Sequence, residues 1–518
     1  MPSEPDVREG VDRSVEAVRG LIAQNQTIYG VTTGFGGRAN VLVDANAALE
    51  LQMNLLHFHR AGVGGPLDDS DVRAAMVIRA NSNLRGASAL RWEVIERLTR
   101  FLNEGVTPVV RRHGSIGASG DLTPLAAIAA CVIGLDDFSR VRWNGRELRA
   151  TAALASLGLE PMTLGPKEAL ALINGTAVSA GMAINSIAEF ETILGGALAF
   201  HALAIQALAG SPEPFDTFVH WNKPHPGQLR VAELLRELLD GSGLTVRHDP
   251  TDPAGGGRLV QDRYSVRCLP QFLAPAVETV DMVRAQLEIE INSTSDNPLI
   301  AADEGRAYHG GNFLAQHVST GLDAMRGQVG LIAKHVDAQL ALLMAPEFSH
   351  GLPASLVGNE TRAVNMGLKG AQITANALMP LIVHHGMPIA HLFATHAEQF
   401  NQNINSLAVP AAHLAQAQAE LARQHVAIAL LAGVQAVDLR TRSSLGHYDA
   451  RDALSPATAV LYEAVRETIR RPPDATRPLI YDDHEQALES LIETTARAFA
   501  EPSRLAEELD SLAARCEG

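Results

Sequence analysis

VSTGLDAMRGQVGLIAKHVDAQLALL, residues 318–343, places apolar side chains at Val318, Leu322, Met325, Val329, Ile332, Val336, Leu340 and Leu343, every step three or four residues. That spacing draws one apolar stripe down one face of an α-helix, and Pro346 supplies the stop. A helix of about 30 residues runs about 45 Å. Such a stripe is buried only against partner helices of similar length packed at a shallow angle. Two other stretches answer that need: residues 411–439, where Leu414, Leu421 and Ile428 stand a heptad apart, and residues 277–291. Strand-like runs are few and short, which removes the α/β architectures. The expected fold is mainly α: a long central helix bundle over roughly 201–518, preceded by a smaller, loop-rich region over roughly 1–200.

Composition agrees with one large folded unit. The 518 residues are 46% hydrophobic and 19% charged, ordinary for a globular protein with a substantial core. Neither a Pro/Gly/Ser linker nor a charge block divides them. A formal net charge of −16 argues against a general nucleic-acid binder, which needs a basic stripe to neutralise phosphates. The three cysteines, Cys131, Cys268 and Cys516, have no paired spacing, so neither a disulfide framework nor a thiolate metal site is expected. The start, Met1-Pro2-Ser3-Glu4-Pro5-Asp6, is acidic where a secretory signal would be basic and then apolar. The longest apolar stretch, residues 124–135, is too short to span a bilayer. A soluble, cytoplasmic protein is the expectation.

Ahead of the bundle, Val7, Val11, Val15, Val18 and Ile22 mark an amphipathic helix. It delivers the chain to Tyr29-Gly30-Val31-Thr32-Thr33-Gly34-Phe35-Gly36-Gly37, with four glycines in nine residues. So much glycine suits neither helix nor strand, and the loop reads either as solvent-facing chain or as a lid carrying Tyr29. Residues 47–61, 71–90, 90–103 and 122–133 read as helices, and Asn144-Gly145 as the turn of a small hairpin.

Between two of those helices lies His113-Gly114-Ser115-Ile116-Gly117-Ala118-Ser119-Gly120-Asp121-Leu122. If its backbone bends so that the Gly120 nitrogen meets the Ala118 carbonyl, ring closure and dehydration at Ser119 leave a five-membered ring with an exposed methylidene. The product is an electrophilic carbon, which no ordinary side chain supplies. Glycine suits the attacking position because it lacks Cβ, and a site just before a helix favours developing negative charge. A bare Ala-Ser-Gly occurs by chance in roughly one chain in five of this size, so the tripeptide alone decides nothing.

Four further islands carry polar residues, each with a purely structural alternative. Asn174-Gly175, after the apolar run 169–173, reads as a helix cap or as a polar amide of a site. Gln261-Asp262-Arg263-Tyr264-Ser265-Val266-Arg267-Cys268, beside the run Gly255-Gly256-Gly257, reads as a surface salt-bridge cluster or as a site segment that crowds hydrogen-bonding side chains around an ionisable phenol. Tyr308-His309-Gly310-Gly311-Asn312-Phe313 opens the long helix, with Asn312 as its simplest N-cap. Ala397-Glu398-Gln399-Phe400-Asn401-Gln402-Asn403-Ile404-Asn405-Ser406 gathers carboxamides around one carboxylate, a set suited to an ammonium group.

In order, these stretches, together with residues 114–126, the lid, His447-Tyr448-Asp449-Ala450-Arg451 and Leu454-Ser455-Pro456-Ala457-Thr458, resemble the aromatic amino acid ammonia-lyases and related aminomutases, most of all the bacterial phenylalanine ammonia-lyases. The resemblance covers essentially the whole chain. It differs in the 28 residues before Tyr29, fewer than is usual, and in lacking the shielding domain of the plant enzymes. It implies a fumarase/aspartase-like bundle assembled as a homotetramer whose active sites combine three chains. It also implies the methylidene-imidazolone (MIO) group formed from Ala118, Ser119 and Gly120, with no metal and no diffusible cofactor.

By the same resemblance Tyr29 is the base that removes the β proton, which requires its pKa to fall from about 10 toward the working pH. Arg267 grips the substrate carboxylate with its planar fork. Asn174, Gln261 and Tyr264 lie around the ring and α-carbon, Asn312 and Phe313 near them, and Glu398 with Gln402 faces the amine. The implied reaction is non-oxidative loss of ammonia from L-phenylalanine or L-tyrosine to give a trans-arylacrylate. The rivals are a histidine lyase giving urocanate, a 2,3-aminomutase giving β-amino acids, and an inactive helical scaffold. The ring-contacting pair is Phe-Leu in phenylalanine lyases, His-Leu in tyrosine lyases and Ser-His in histidine lyases. Here it is Phe58-His59, a hybrid: Phe58 favours an apolar ring, while His59 either reads a polar one or bonds its own pocket through water or Glu398.

Overall fold

The computed structural model describes residues 5–44, 47–247, 260–485 and 487–516; the acidic start at 1–4 and the run Gly255-Gly256-Gly257 lie outside them. In chain order the helices are α1 (Pro5–Ala23), α2 (Ala48–His59), α3 (Asp69–Leu84), α4 (Trp92–Asn103), α5 (Leu122–Ile133), α6 (Ala150–Ser156), α7 (Glu168–Ile173) and α8 (Ala177–Ala207). They continue with α9 (Thr217–Trp221), α10 (Pro226–Leu239), α11 (Tyr264–Arg267), α12 (Leu269–Ile291), α13 (Gln316–Met344), α14 (Lys369–His385), α15 (Ala408–Leu445), α16 (Pro456–Thr468), α17 (Leu488–Ala498) and α18 (Arg504–Ala514). Strands are short: β1 (Val63–Pro66) pairs antiparallel with β3 (Arg111–His113), and β2 (Thr107–Pro108) with β4 (Arg140–Trp143). The turn Asn144-Gly145, both residues at positive φ, closes β4 onto β5 (Arg146–Arg149) with Trp143 opposite Arg146. A last hairpin joins β6 (Leu299–Ala301) to β7 (Arg306–Tyr308).

The fold is mainly α, as the 318–343 stripe requires. Helix α13 has 29 residues, and none of its eight stripe residues is more than 4% exposed. The other two long helices expected are present and longer than periodicity indicated, α15 with 38 residues and α12 with 23. Helix α8, 31 residues, is the long helix that periodicity missed. It is apolar and buried over most of its surface, with only a short polar patch around residues 185–191, so it generates no sustained period. Its length and composition would also suit a bilayer.

Two expectations change at helix ends. The helix expected over 71–90 stops at Leu84, because Gly86 takes φ +71° and a Cβ there would meet the Gly10 backbone at 2.9 Å. Asn312 does not cap α13, which starts four residues later at Gln316; the Asn312 carbonyl instead accepts the Ser295 hydroxyl at 2.9 Å.

The chain divides into two compact units. The first takes residues 1–185, 283–323 and 388–413; the second takes 186–282, 324–387 and 414–518. In the first, Val18 and Leu21 of α1 form a buried cluster with Ile28, Val31 and Ile300, which seats the start of the glycine loop. In the second, Ser455 caps α16 by accepting from the Thr458 amide at 3.1 Å, and Pro456 occupies the first turn, where its missing N–H costs nothing. There too the buried Asp438 accepts from Tyr462 at 2.7 Å and pairs with Arg466.

Candidate active site

Ala118-Ser119-Gly120 lies directly before α5, with Asp121 at the helix's N-cap position. Asn174, the residue at which α7 ends, serves both of its readings: it caps the helix, and its Nδ2 donates to the Ser119 carbonyl at 2.8 Å. The next residue, Gly175, accepts the Asp121 amide at 2.7 Å. Both peptide groups flanking Gly120 are therefore pinned by one short stretch. Gly120 itself has φ +72°, and the Gly175 nitrogen would lie 2.7 Å from any Cβ placed there, so only glycine fits. The Ser119 hydroxyl accepts from Gln402 Nε2 at 2.9 Å.

Asp121, inside the quoted stretch but not among the candidate residues, is the buried charge of this corner. It accepts from the Ser179 amide at 2.8 Å, the Ser179 hydroxyl at 2.9 Å and the Ser115 hydroxyl at 3.3 Å. Burial pushes its carboxyl up to about 6 in spite of these bonds. The signal for it was available: an acid at a helix start beside glycines.

A cavity of about 710 Å³ opens on Ser119. Its wall includes Tyr29, Phe58, His59, Asn174, Phe313, Glu398 and Gln402, so eight of the candidate residues meet within the first unit. Leu51, Leu55, Leu122 and Leu170 complete an apolar lining that was not anticipated. Leu51 and Leu55 precede His59 by two turns and one turn of α2, which was the available signal.

Tyr29 sits beneath its own loop. Its hydroxyl accepts from the Gly36 amide at 2.9 Å, and its ring meets Phe35 edge-on at 6.3 Å. The loop is tied down by Gln52, which donates to the Gly30 carbonyl at 3.1 Å, and by the pairing of Thr33 with Leu42. Burial raises the Tyr29 pKa; the Gly36 amide opposes the rise and the charge of Glu398 adds to it. The direction is opposite to the fall that a base role requires.

Across the cavity wall, Glu398, Gln399 and Phe400 all have left-handed backbones, φ +50°, +52° and +66°. Each such residue costs about 1–2 kcal/mol outside glycine. The bridge between Ala397 and Gln402 closes this turn. It meets the Tyr29 loop through two glycines: a Cβ on Gly36 would overlap the Glu398 carboxylate, and one on Gly37 would overlap the Gln399 carboxamide.

His59 is held by its own helix. Nδ1–H donates to the Leu55 carbonyl at 2.9 Å, leaving Nε2 as the acceptor nitrogen of the neutral ring. Burial lowers its pKa, with the Leu55 carbonyl and Glu398 opposing, so the neutral ring is the resident form. Phe58 packs against it at 4.2 Å between ring centres and is 55% exposed.

Gln261, Tyr264 and Arg267 belong to the second unit, and none of them lines this cavity. Arg267 lies over the Tyr264 ring at 4.5 Å, and Tyr264 is 74% exposed. Asp262 accepts the Ser211 amide at 2.8 Å and Arg263 lies over Phe348 at 4.7 Å, so these two stabilise the segment locally. Asn312 is also outside the cavity lining, held through its backbone as described above.

A family model described as aromatic amino acid lyase matches residues 2–467. The phenylalanine ammonia-lyase of Nostoc punctiforme is 50% identical over 488 residues, covering 94% of this chain and 86% of that protein. The aromatic ammonia-lyase of Loktanella atrilutea is 45% identical, covering 95% and 90%. Among solved structures, the phenylalanine aminomutase of Pantoea agglomerans superposes with a TM-score of 0.87 at 30% identity, over 96% of this chain and 94% of that one. With the match running from ahead of the Tyr29 loop to well past the Glu398 turn, and a fold that follows it, the chain belongs to the aromatic amino acid lyase family, the carbon–nitrogen lyases.

Proposed function

We propose that this protein eliminates ammonia from L-phenylalanine or L-tyrosine to give the trans-arylacrylate, at the cavity that opens on Ser119. One observation carries the reading. A serine followed by a glycine whose two flanking peptides are pinned shares a cavity with apolar side chains, a tyrosine, a carboxylate and several carboxamides. In this reading Ala118, Ser119 and Gly120 cyclise to MIO, which supplies an electrophilic carbon for the amine. The residues fit such a ring: Gly120 has a cradle that a side chain would fill, and Asn174 Oδ1 is buried without a partner among the described residues.

Glu398 and Gln402 bind the ammonium, and Leu51, Leu55, Phe58 and Phe313 exclude water from the aromatic ring. Tyr29 removes the β proton. Its raised pKa has two handles already in place: the Gly36 amide stabilises the phenolate, and an ammonium paired with Glu398 cancels the charge that opposes it. His59 Nε2 accepts from a phenol, which favours tyrosine. With phenylalanine it is left unpartnered at a cost of about 1–3 kcal/mol.

The assembly in this reading is a homotetramer in the cytoplasm, with Gln261, Tyr264, Arg267 and Asn312 serving the site of a neighbouring copy. The exposure of Tyr264, and of Ile373 and Leu381 on α14, supports a covered surface in the assembled protein. A 2,3-aminomutase is the second reading, favoured by the likeness to the Pantoea agglomerans enzyme. Incubation with phenylalanine, tyrosine and histidine, followed by mass analysis, separates the cases. Cinnamate or coumarate supports the proposal, β-amino acids support the mutase, urocanate would make it a histidine lyase, and no product from any of them points to an inactive scaffold.

A further inference from the structure

Behind Gly175, on the side away from Gly120, lies a guanidinium that no substrate reaches. Arg79 of α3 is 2% exposed. Its Nη1 donates to the Ser295 carbonyl at 2.7 Å, and its Nη2 donates to the Ala171 carbonyl. Ala171 lies in the last turn of α7, where carbonyls lack helical partners and carry the negative end of the helix dipole. Asn83, one turn further along α3, adds a second donor to the same carbonyl at 3.3 Å. Ser295 in turn accepts the Thr176 amide on its hydroxyl at 3.1 Å. Residues 171 and 176, on both sides of Asn174-Gly175, are thus held to one anchor.

The fit is close enough to exclude a methyl group. A Cβ on Gly175 would overlap Arg79 Nη1 and approach the Ser295 carbonyl at 2.7 Å. Burying a guanidinium costs several kcal/mol unless it is well paired, and its Nε has no partner among the described residues. Packing alone would be served better by an apolar side chain. What an arginine adds is a rigid fork that holds two carbonyls at a fixed separation.

We propose that Arg79 is the positioning residue for maturation of Ala118-Ser119-Gly120: it fixes the Asn174-Gly175 template against which Gly120 is bent into reach of Ala118. The inference rests on the reading that this tripeptide cyclises. In that step a bond forms between Gly120 N and Ala118 C. The Ala118 oxygen leaves as water with the Gly120 and Ser119 amide protons, and a C=N bond forms to Ser119 N. The Ser119 hydroxyl then leaves as a second water with its Cα proton, which forms the C=C bond. Neither an oxidant nor a reductant is involved. The gain from a fixed template is that of any intramolecular reaction in which the reacting atoms are held in near-attack geometry.

The test measures intact mass alongside circular dichroism and thermal unfolding, for the purified wild type and for Arg79→Lys and Arg79→Met. The wild type is expected two waters lighter than its sequence. The folded variants are expected to retain one or both waters, with loss at least tenfold slower on incubation. A wild type at full sequence mass would defeat the cyclisation reading itself. A light wild type with an equally light, folded Lys or Met variant overturns only the role of Arg79. If Arg79→Met fails to fold, Arg79→Lys decides, since it keeps charge and bulk but loses the fork. Loss of fold in both would assign Arg79 to stability alone and also overturn the proposal.

Discussion

Around Ser119 the backbone is pinned by short, glycine-rich stretches that leave no room for a side chain, whereas around Tyr29 it is held by its own turn together with the side chains of Gln52 and His309. The Asn174-Gly175 stretch bonds to residues 119 and 121, and a buried arginine braces it from behind. The Tyr29 loop closes on itself through the Gly36 amide, and its approach to the Glu398 turn depends on the absence of two Cβ atoms. One wall is closely packed and braced by hydrogen bonds. The other combines glycine freedom with left-handed strain, the combination found where a segment has to move or be held in an unusual shape. On the proposed reading, electrophile formation needs the first property, and substrate entry needs the second.

The sharpest break in that comparison is on the fixed side. Ser119→Ala is expected to fold and assemble with activity below detection, because no hydroxyl remains to leave; normal turnover would remove the electrophile from the scheme. Tyr29→Phe tests the other wall. Its effect should be about 10²–10⁴ in kcat, the usual range for a general base, with the mass of the fixed wall unchanged. The wild-type kcat should climb with pH on the alkaline side, since burial raises the phenol's pKa and more phenolate forms as pH approaches it. A profile flat from neutral to alkaline pH in wild type would place the base elsewhere.

Gly36→Ala asks whether the two walls are independent. Its Cβ would displace the Glu398 carboxylate, so activity should fall tenfold or more while intact mass stays at the wild-type value. A change in mass would show that the lid also governs maturation. The smallest effect expected is His59→Leu, a shift of the tyrosine-to-phenylalanine ratio toward phenylalanine of about tenfold per 1.4 kcal/mol of lost contact. Because burial depresses the His59 pKa, the wild-type ratio should hold constant at neutral pH and above. It should change only in acid, where protonation turns Nε2 from acceptor to donor. An unchanged ratio in the variant would mean that selection lies with other residues of the wall.

The helices that bury one face were legible in the sequence, because an amphipathic stripe is a periodic signal. The boundaries of α5 match expectation at both ends, as Asp121 and Gly134 are strong stops. Helix α8 was illegible because it is buried and apolar over most of its surface, and the overrun of α3 came from giving an apolar run more weight than Gly86. Of the site, the residues with unusual local composition, namely the glycine loop, Ala-Ser-Gly and the carboxamide cluster, stood out on their own. Arg79 did not. An arginine on an ordinary amphipathic helix reads as solvated, and only the tertiary approach of Ala171 and Ser295 gives it a task. Nor could spacing foretell that His59 would spend its Nδ1 proton on Leu55.

The bonds that seat the tripeptide come from distant parts of the chain. Gln402 reaches the Ser119 hydroxyl across 283 positions, and the Ser406 amide reaches the Gly117 carbonyl at 3.1 Å. During synthesis, therefore, a ribosome-bound chain has exposed Ala118-Ser119-Gly120 long before it possesses residues 402 and 406. The seat is complete only when most of the polypeptide has emerged and folded back. If the tripeptide cyclises as proposed, a reactive carbon that would alkylate cellular thiols and amines is withheld from nascent and truncated chains, and its appearance marks a fold that has closed.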